Sequence, residues 1–321
     1  MRHADSVEEA SVLGPLGIEL STDFSVTEDD LIRNGQGTFG FLVSHAPVTR
    51  RVMEALPDLA IVIKYGVGID NIDVEAAREL GKTVAHVPDY ATEEVALHAL
   101  ALATGGMRII NAVSNAVRDG NWIEDPSPYR VPRGSELDLG LIGFGRIARR
   151  FAMYMKPVVR RIFVCDPFLE GPALQGYDVA RVVGPADLFA RCGVVSIHAP
   201  LTPQTRNMVN QETLSHANDC ILVNTARAGL IDRHAILPAL ESGRLRHFAT
   251  DVFWDEPADF SDPLTAAIID HPGVVVTPHI AWYSQASEQQ LRRDAAMEMA
   301  RAIRGERLLN SVTGAIKRGA L

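Results

Sequence analysis

Cysteine is scarce. Cys165, Cys192 and Cys220 are the three in 321 residues, too few and too evenly spread for a disulfide framework or a zinc site. Each sits at or beside an apolar strand pattern, so all three are expected to be small core or near-core residues. The ten histidines are equally dispersed, with neither HxH nor HExxH spacing, and no metal is expected. Long apolar runs are missing as well. None approaches the roughly 20 residues needed to span a bilayer, and the N-terminus lacks the charged-then-apolar pattern of a signal peptide. A cytoplasmic chain without a membrane partner is the expectation. Basic clusters are the third absence. Net charge is −9, and the Lys and Arg residues are scattered, whereas phosphate backbones need a concentrated basic face. Nucleic acid is not expected as a ligand.

What is present is a core. Hydrophobic residues make up 47% and charged residues 22% of the chain, the balance of a globular protein, and 321 residues suggest two domains. From Leu137 onward, short apolar β-rich runs alternate with helical stretches: Leu139–Ile142, Ile162–Cys165, Val194–Ile197, Ile221–Val223, Phe248–Val252 and Val274–Thr277. Nearly continuous hydrophobic strands separated by helices indicate a parallel sheet buried on both faces. The predicted architecture is α/β, with a Rossmann-type doubly wound parallel sheet and a smaller flavodoxin-like α/β cap. Phe39–Ser44, Ala60–Tyr65 and Thr83–His86 supply the cap strands, with helices at Thr49–Leu56 and Val74–Leu80 between them. One long helical segment is predicted from Glu93 to about Gly120, crossing between domains, and an amphipathic stretch from Ser287 to Arg304 returns to the cap. The expected cap domain is therefore discontinuous, residues 1–103 and 286–321, around a dinucleotide-binding domain at 104–285. Val7–Leu16 reads as a helix and Ile18–Ser21 as a strand, with no strand before them. A unit of this type normally opens on a strand, so either the true start lies upstream or the missing edge strand is tolerated.

The segment Gly143-x-Gly145-x-x-Ala148 follows a predicted strand and opens a predicted helix. Gly143 makes a tight turn, Gly145 lets the backbone approach a pyrophosphate, and Ala suffices at the third position, where close helix–strand packing is needed. The helix start, with its Arg146 and Ile147 amides, then offers free N–H groups and partial positive charge to that anion. Alone this is a weak motif. The next strand ends at Asp166, at the offset of a carboxylate that accepts from a ribose 2′-hydroxyl and repels a 2′-phosphate. NAD is expected rather than NADP.

Three ionisable residues follow three later strands: Arg227, Glu256 and His279. Each has a plain structural explanation when taken singly: a solvated loop cation, a turn residue before proline, a strand-end histidine bonded to backbone. Together on one rim they suit a 2-keto acid. Arg offers a planar fork to a carboxylate or carbonyl, His can protonate a developing alkoxide, and a carboxylate beside it favours the imidazolium.

These segments resemble the D-isomer-specific 2-hydroxyacid dehydrogenase family. The resemblance runs from about Val43 to Val312 through Tyr65–Asp73, Leu141–Ile147, His198–Arg206, Val223–Asp232, Asp251–Pro257 and Thr277–His279. It implies Arg227, Glu256 and His279 as the catalytic set, Asp251 on the nicotinamide carboxamide, and Thr205, Thr225 and Ala226 lining the cofactor. It also implies a homodimer and hydride transfer between NAD(H) and a small 2-keto or D-2-hydroxy acid, bound in the cleft between the domains. The run His279–Ser284 is similar to the C-terminal-binding-protein branch, in which the Trp at the place of Trp282 lines the substrate pocket. By the same likeness Val67 and Gly68 present amides to the substrate carboxylate. Lys64 stands where that branch has Arg, a point charge in place of a fork. His45 reaches the cleft or has a structural role. Ala228 replaces the usual Gly after the catalytic Arg.

The rival reading is an NAD(H)-sensing scaffold with weak or no catalysis. The branch resemblance supports it, whereas the intact triad and the short remainder from Thr313 to Leu321 weigh against it. Formate-type oxidation is disfavoured, because that chemistry places an amide where Glu256 stands. Trp282 and the sparse charge near the pocket motifs point to a substrate with a neutral or apolar side chain.

Overall fold

A computed structural model describes residues 6–169 and 176–314. Residues 1–5, 170–175 and 315–321 lie outside it, and with them most of the Thr313–Leu321 remainder. The chain divides into two compact units, residues 1–91 with 283–321, and residues 92–282.

The first unit is built on β1 (Gly40–Val43), β2 (Ile61–Lys64) and β3 (Thr83–His86), parallel and in that order. All four residues of the central strand are buried. Its crossover helices start where the sequence supplies caps. Thr49 accepts from the Val52 N–H ahead of Arg50–Ala55, and Asp73 accepts from the Ala76 N–H ahead of Val74–Glu79; each bond satisfies a donor that the helix itself cannot. The first helix, Val7–Leu13, packs on the last, Gln285–Ile303. Between them Arg292 donates to Glu9 through Nε at 3.0 Å and Nη2 at 2.8 Å, and the Tyr65 hydroxyl donates to the same carboxylate at 2.7 Å. Burial pushes the Glu9 carboxyl up, but these bonds outweigh it and hold it below its ordinary value. Ile18–Ser21 is not a strand, contrary to its alternating pattern. The three-stranded sheet pairs it with nothing, and alternation without a neighbouring edge makes no ladder.

The second unit carries β4 (Asp138–Ile142), β5 (Arg161–Cys165), β6 (Ala180–Arg181), β7 (Val194–Ile197), β8 (Cys220–Asn224), β9 (Leu245–Thr250) and β10 (Val274–Val276). Their order is β10-β9-β8-β7-β4-β5-β6, all parallel. Alternate residues serve opposite faces. Leu139, Leu141, Val194, Ile221 and Val223 pack with Ala99, Phe151 and Met155. Ile142, Ile197, Leu222 and Phe248 pack with Leu188, Ile236 and Ile268 on the other side. That two-sided burial is why the central strands are mostly apolar. All three cysteines are buried thiols.

The expected single helix from Glu93 to Gly120 is two helices, Thr92–Met107 and Ile110–Arg118, bent by 66°. Ile109 sits between them with φ +50°, a left-handed conformation that a β-branched residue breaks helix to adopt. No single helix among the described residues is long and apolar enough to cross a membrane. Thr92–Met107 belongs wholly to the second unit, not to the cap as far as residue 103. Its Ala96, Ala99, Ala103 and Met107 join the same buried cluster as Leu139 and Phe151. Gly106 allows the close approach: a Cβ there would run into the ring of His247.

Two imidazoles are held neutral in this unit. Burial pushes His247, in β9, down to about 4 and His198, just after β7, down to about 3. Both return to about 6.5 when the chain unfolds, so the unfolded state takes up their protons first as pH falls. The stability they contribute is complete above about pH 6.5 and is lost towards pH 4 and below, by about 1.4 kcal/mol per pH unit for each ring. Urea unfolding between about pH 6 and about pH 4.5 should show uptake approaching two protons. Uptake near zero over that range would show that neither ring is held neutral.

Candidate active site

Ligands of open parallel sheets bind beyond the carboxyl ends of the strands, where the strand order reverses. Here the reversal lies between β4 and β7. Gly143 follows β4 with φ +87°, and a Cβ on it would meet the Ala199 N and His198 C backbone atoms at 2.9 Å. No other residue fits that turn. Gly145 caps the helix Arg146–Met155, and a Cβ there would meet nothing within 4 Å, so the space in front of the helix start is open. Ala148 is fully buried against the sheet. Asp166, at the end of β5, accepts from the Phe144 N–H at 2.9 Å and the Phe168 N–H at 3.0 Å. This clamps the carboxylate beside the glycine turn.

Further along the rim, Thr205 folds its own loop, accepting from the Thr202 N–H at 2.8 Å and donating to the Pro200 carbonyl at 2.7 Å. Thr225, after β8, has a buried hydroxyl with no hydrogen-bond partner. Buried polar atoms are rarely left unmatched, and this one fits a cofactor-lining position. Asn224, which the sequence reading did not single out, shapes the turn that carries Arg227. Its Oδ1 accepts from the Ala226 N–H at 3.0 Å and its Nδ2 donates to the Arg227 carbonyl at 2.9 Å. Arg227 Nη1 donates to the Ala226 carbonyl at 2.7 Å.

The last two strands bring Glu256 and His279 together. Glu256 Oε2 lies 2.6 Å from His279 Nδ1, and its other oxygen accepts from the Phe253 N–H at 3.0 Å. The loop bearing Glu256 is pinned by Trp254 Nε1, which donates to the Ile231 carbonyl at 2.9 Å, and by Arg233, which pairs with Asp262. His279 has φ +54°. A left-handed conformation costs a non-glycine residue about 1–2 kcal/mol, so something must hold it. Its N–H donates to the Asp251 carbonyl at 2.8 Å, and its own carbonyl accepts from Trp282 Nε1 at 3.0 Å. The Asp251 side chain, 1% exposed, then takes the Thr277 hydroxyl at 2.6 Å, the Ile280 N–H at 3.0 Å and the Ala281 N–H at 2.8 Å.

In the first unit, Lys64 is nearly buried at the end of β2 and donates to the Ser44 carbonyl. Val67, in the turn that follows, is exposed, and its carbonyl lies 2.8 Å from His86 Nδ1. Gly66 turns the chain with φ +126°, Gly68 follows in the same turn, and His45 is exposed after β1. Among the described residues, no group of three or more His, Cys, Asp or Glu could hold a metal ion.

The chain is similar to known proteins. Residues 100–281 match the model for the NAD-binding domain of D-isomer specific 2-hydroxyacid dehydrogenases. The D-3-phosphoglycerate dehydrogenase of Methanocaldococcus jannaschii is 30% identical over 97% of this chain, which spans 57% of that relative. The glycerate dehydrogenase of Methylorubrum extorquens is 30% identical over 83% of this chain and 82% of its own length. The crystal structure of D-lactate dehydrogenase from Aquifex aeolicus, in complex with NAD and lactic acid, superposes with a TM-score of 0.87 at 25% identity, covering 98% of both chains. These matches support the family as a whole, and the narrower branch resemblance rests on His279–Ser284 alone. With a nucleotide turn at the sheet reversal, a carboxylate–imidazole pair on the same rim and relatives aligned along nearly its whole length, the chain belongs to the D-isomer specific 2-hydroxyacid dehydrogenase family.

Proposed function

We propose that the chain is an NAD-dependent D-2-hydroxyacid dehydrogenase, or 2-keto acid reductase, acting on a small substrate. The 2.6 Å contact between Glu256 and His279 carries the reading, because it supplies an oriented acid–base group at the strand ends of a dinucleotide-binding sheet. Gly143, Gly145 and the Arg146 and Ile147 amides would hold the pyrophosphate, Asp166 the ribose, and Thr205, Thr225, Ala226 and Asp251 the nicotinamide side. Bound NADH supplies the hydride for the substrate's C2. With Nδ1 committed to Glu256, proton exchange with the substrate oxygen falls to Nε2 of His279. Glu256 orients the ring. Arg227 is assigned to the substrate carboxylate or carbonyl, where a planar fork binds bidentately. In the first unit, the Val67 and Gly68 amides and Lys64 are assigned to a carboxylate, and in the second Trp282 to the substrate side chain.

A homodimer in the cytoplasm completes the proposal. The helix Ile110–Arg118 buries no residue, and Ile110, Val117 and nearby Trp122 are exposed; exposed apolar side chains on one segment suit an association surface. The division of labour follows the two units, cofactor chemistry in the second and a cap role for the first. The deciding experiment is a panel of 2-keto acids with NADH, followed by loss of NADH absorbance. Robust turnover of at least one small neutral keto acid is expected. NADH binding without turnover of any of them would remove the proposal.

A further inference from the structure

The helix Thr92–Met107 directs one imidazole at the loop that holds His279. His98 Nε2 lies 2.9 Å from Thr277 Oγ1 and 3.6 Å from Asp251 Oδ1, and the Thr277 hydroxyl lies 2.6 Å from the same Asp251 oxygen. A hydroxyl has one proton to give. Asp251 takes backbone N–H bonds on both its oxygens, from Ile280 and Ala281, so it is the acceptor in its contact with Thr277. Thr277 therefore donates to Asp251 and must accept from His98. That order fixes the tautomer: the His98 proton is on Nε2.

The consequence reaches the reacting group. The chain of bonds His98 → Thr277 → Asp251 ends on a carboxylate whose other partners are the two residues directly after His279, and the Asp251 carbonyl holds the His279 N–H itself. Hydrogen bonds in series polarise one another, so a donor at the head of the series strengthens the last links. The helix that carries His98 is in turn locked to the sheet, through Gly106 against His247 and through its buried alanines. His98 thus ties the left-handed His279 loop to a helix packed into the buried face of its sheet.

We propose that His98 is a positioning residue for the reaction, fixing the orientation of His279 through Thr277 and Asp251. This rests on the reading of His279 as the proton-transfer group. The test compares three variants of the full chain. His98→Leu keeps the bulk and removes the donor; kcat should fall by about tenfold or more, since small misplacements of a reacting group cost heavily, with a much smaller change in the NADH dissociation constant, since Asp251 is only one of several groups assigned to the cofactor. His98→Gln places an amide N–H at the reach of Nε2 and should recover most of kcat. His98→Asn, whose amide is too short to reach Thr277, should not. If His98→Leu does not fold, the Gln and Asn variants give the same comparison. Ring 15N shifts of the wild-type chain should place the His98 proton on Nε2.

Wild-type kcat in His98→Leu, a Gln variant no faster than the Asn variant, or a proton on Nδ1 alone would overturn the proposal. His279→Ala is assayed in parallel. If that variant keeps its turnover, the reading of His279 has failed. If it is inactive while His98→Leu is unaffected, only the role of His98 has failed.

Discussion

Replacing His279 with alanine should lower turnover of the preferred 2-keto acid by about 10²–10⁴-fold, the usual worth of a positioned general acid, and leave NADH affinity nearly unchanged. The separation follows from where the contacts lie. The nucleotide turn, Asp166 and Thr225 belong to β4, β5 and β8 or to the loops that follow them, whereas His279 follows β10, on the far edge of the same sheet. Removing the ring leaves Glu256 with its bond from the Phe253 N–H, so that loop keeps an anchor. The left-handed backbone at 279 is held by Asp251 and Trp282 through main-chain atoms, which alanine retains. Asparagine tolerates that conformation better than alanine, so His279→Asn controls for backbone relaxation and should be as inactive. Stopped-flow binding and steady-state assays separate the two effects. Unchanged turnover in both variants would remove the acid assignment, and lost NADH binding in both would show that His279 supports the cofactor site.

The elements that carry this chemistry were legible because each has a one-dimensional signature. β4, β7 and β8 are mostly apolar, as strands covered on both faces tend to be, and the glycine turn and Asp166 occur at the spacing a dinucleotide demands. The failures share a cause, which is partnership. Ile18–Ser21 has the alternation of a strand, but pairing is a property of the neighbour. β6 is a strand only because it lies beside β5; its two residues, Ala180 and Arg181, are both exposed and carry no apolar signal. Gly105 and Gly106 come just before the break at Ile109, but both lie inside the first helix, so they do not mark where it ends. The end of the first unit at Ala91 falls just before an alanine-rich helix, where composition does not change. At the site, its place after a strand singled out His279 and the family resemblance singled out Asp251, but neither tells that one holds the other in place. His98 is 179 positions from Thr277, and no periodicity connects them. Asn224 could have been noticed: an Asn at a strand end, just before a turn, is a standard local acceptor for backbone N–H groups.

The dependence of His279 on Asp251 gives the second large expected effect. Asp251→Asn is nearly isosteric, yet it should damage the protein about as much as Asp251→Ala. The three hydrogen-bond partners of the carboxylate are all donors: the Thr277 hydroxyl and the Ile280 N–H on one oxygen, the Ala281 N–H on the other. An amide replaces one of those acceptors with an NH₂ group, and whichever way it turns, donor faces donor in a pocket only 1% exposed. A buried N–H left without its acceptor costs about 1–3 kcal/mol, comparable to the cost of the left-handed backbone that these bonds offset. The loop should then relax and draw His279 away from Glu256. Turnover should fall by about 10²-fold or more, and the unit should lose about 2–3 kcal/mol of stability, read by urea unfolding. His279→Ala, in contrast, should lose turnover and keep its stability. That difference separates a group that exchanges the proton from one that holds it in place. An Asp251→Asn variant with wild-type stability and turnover would show that the His279 loop supports itself.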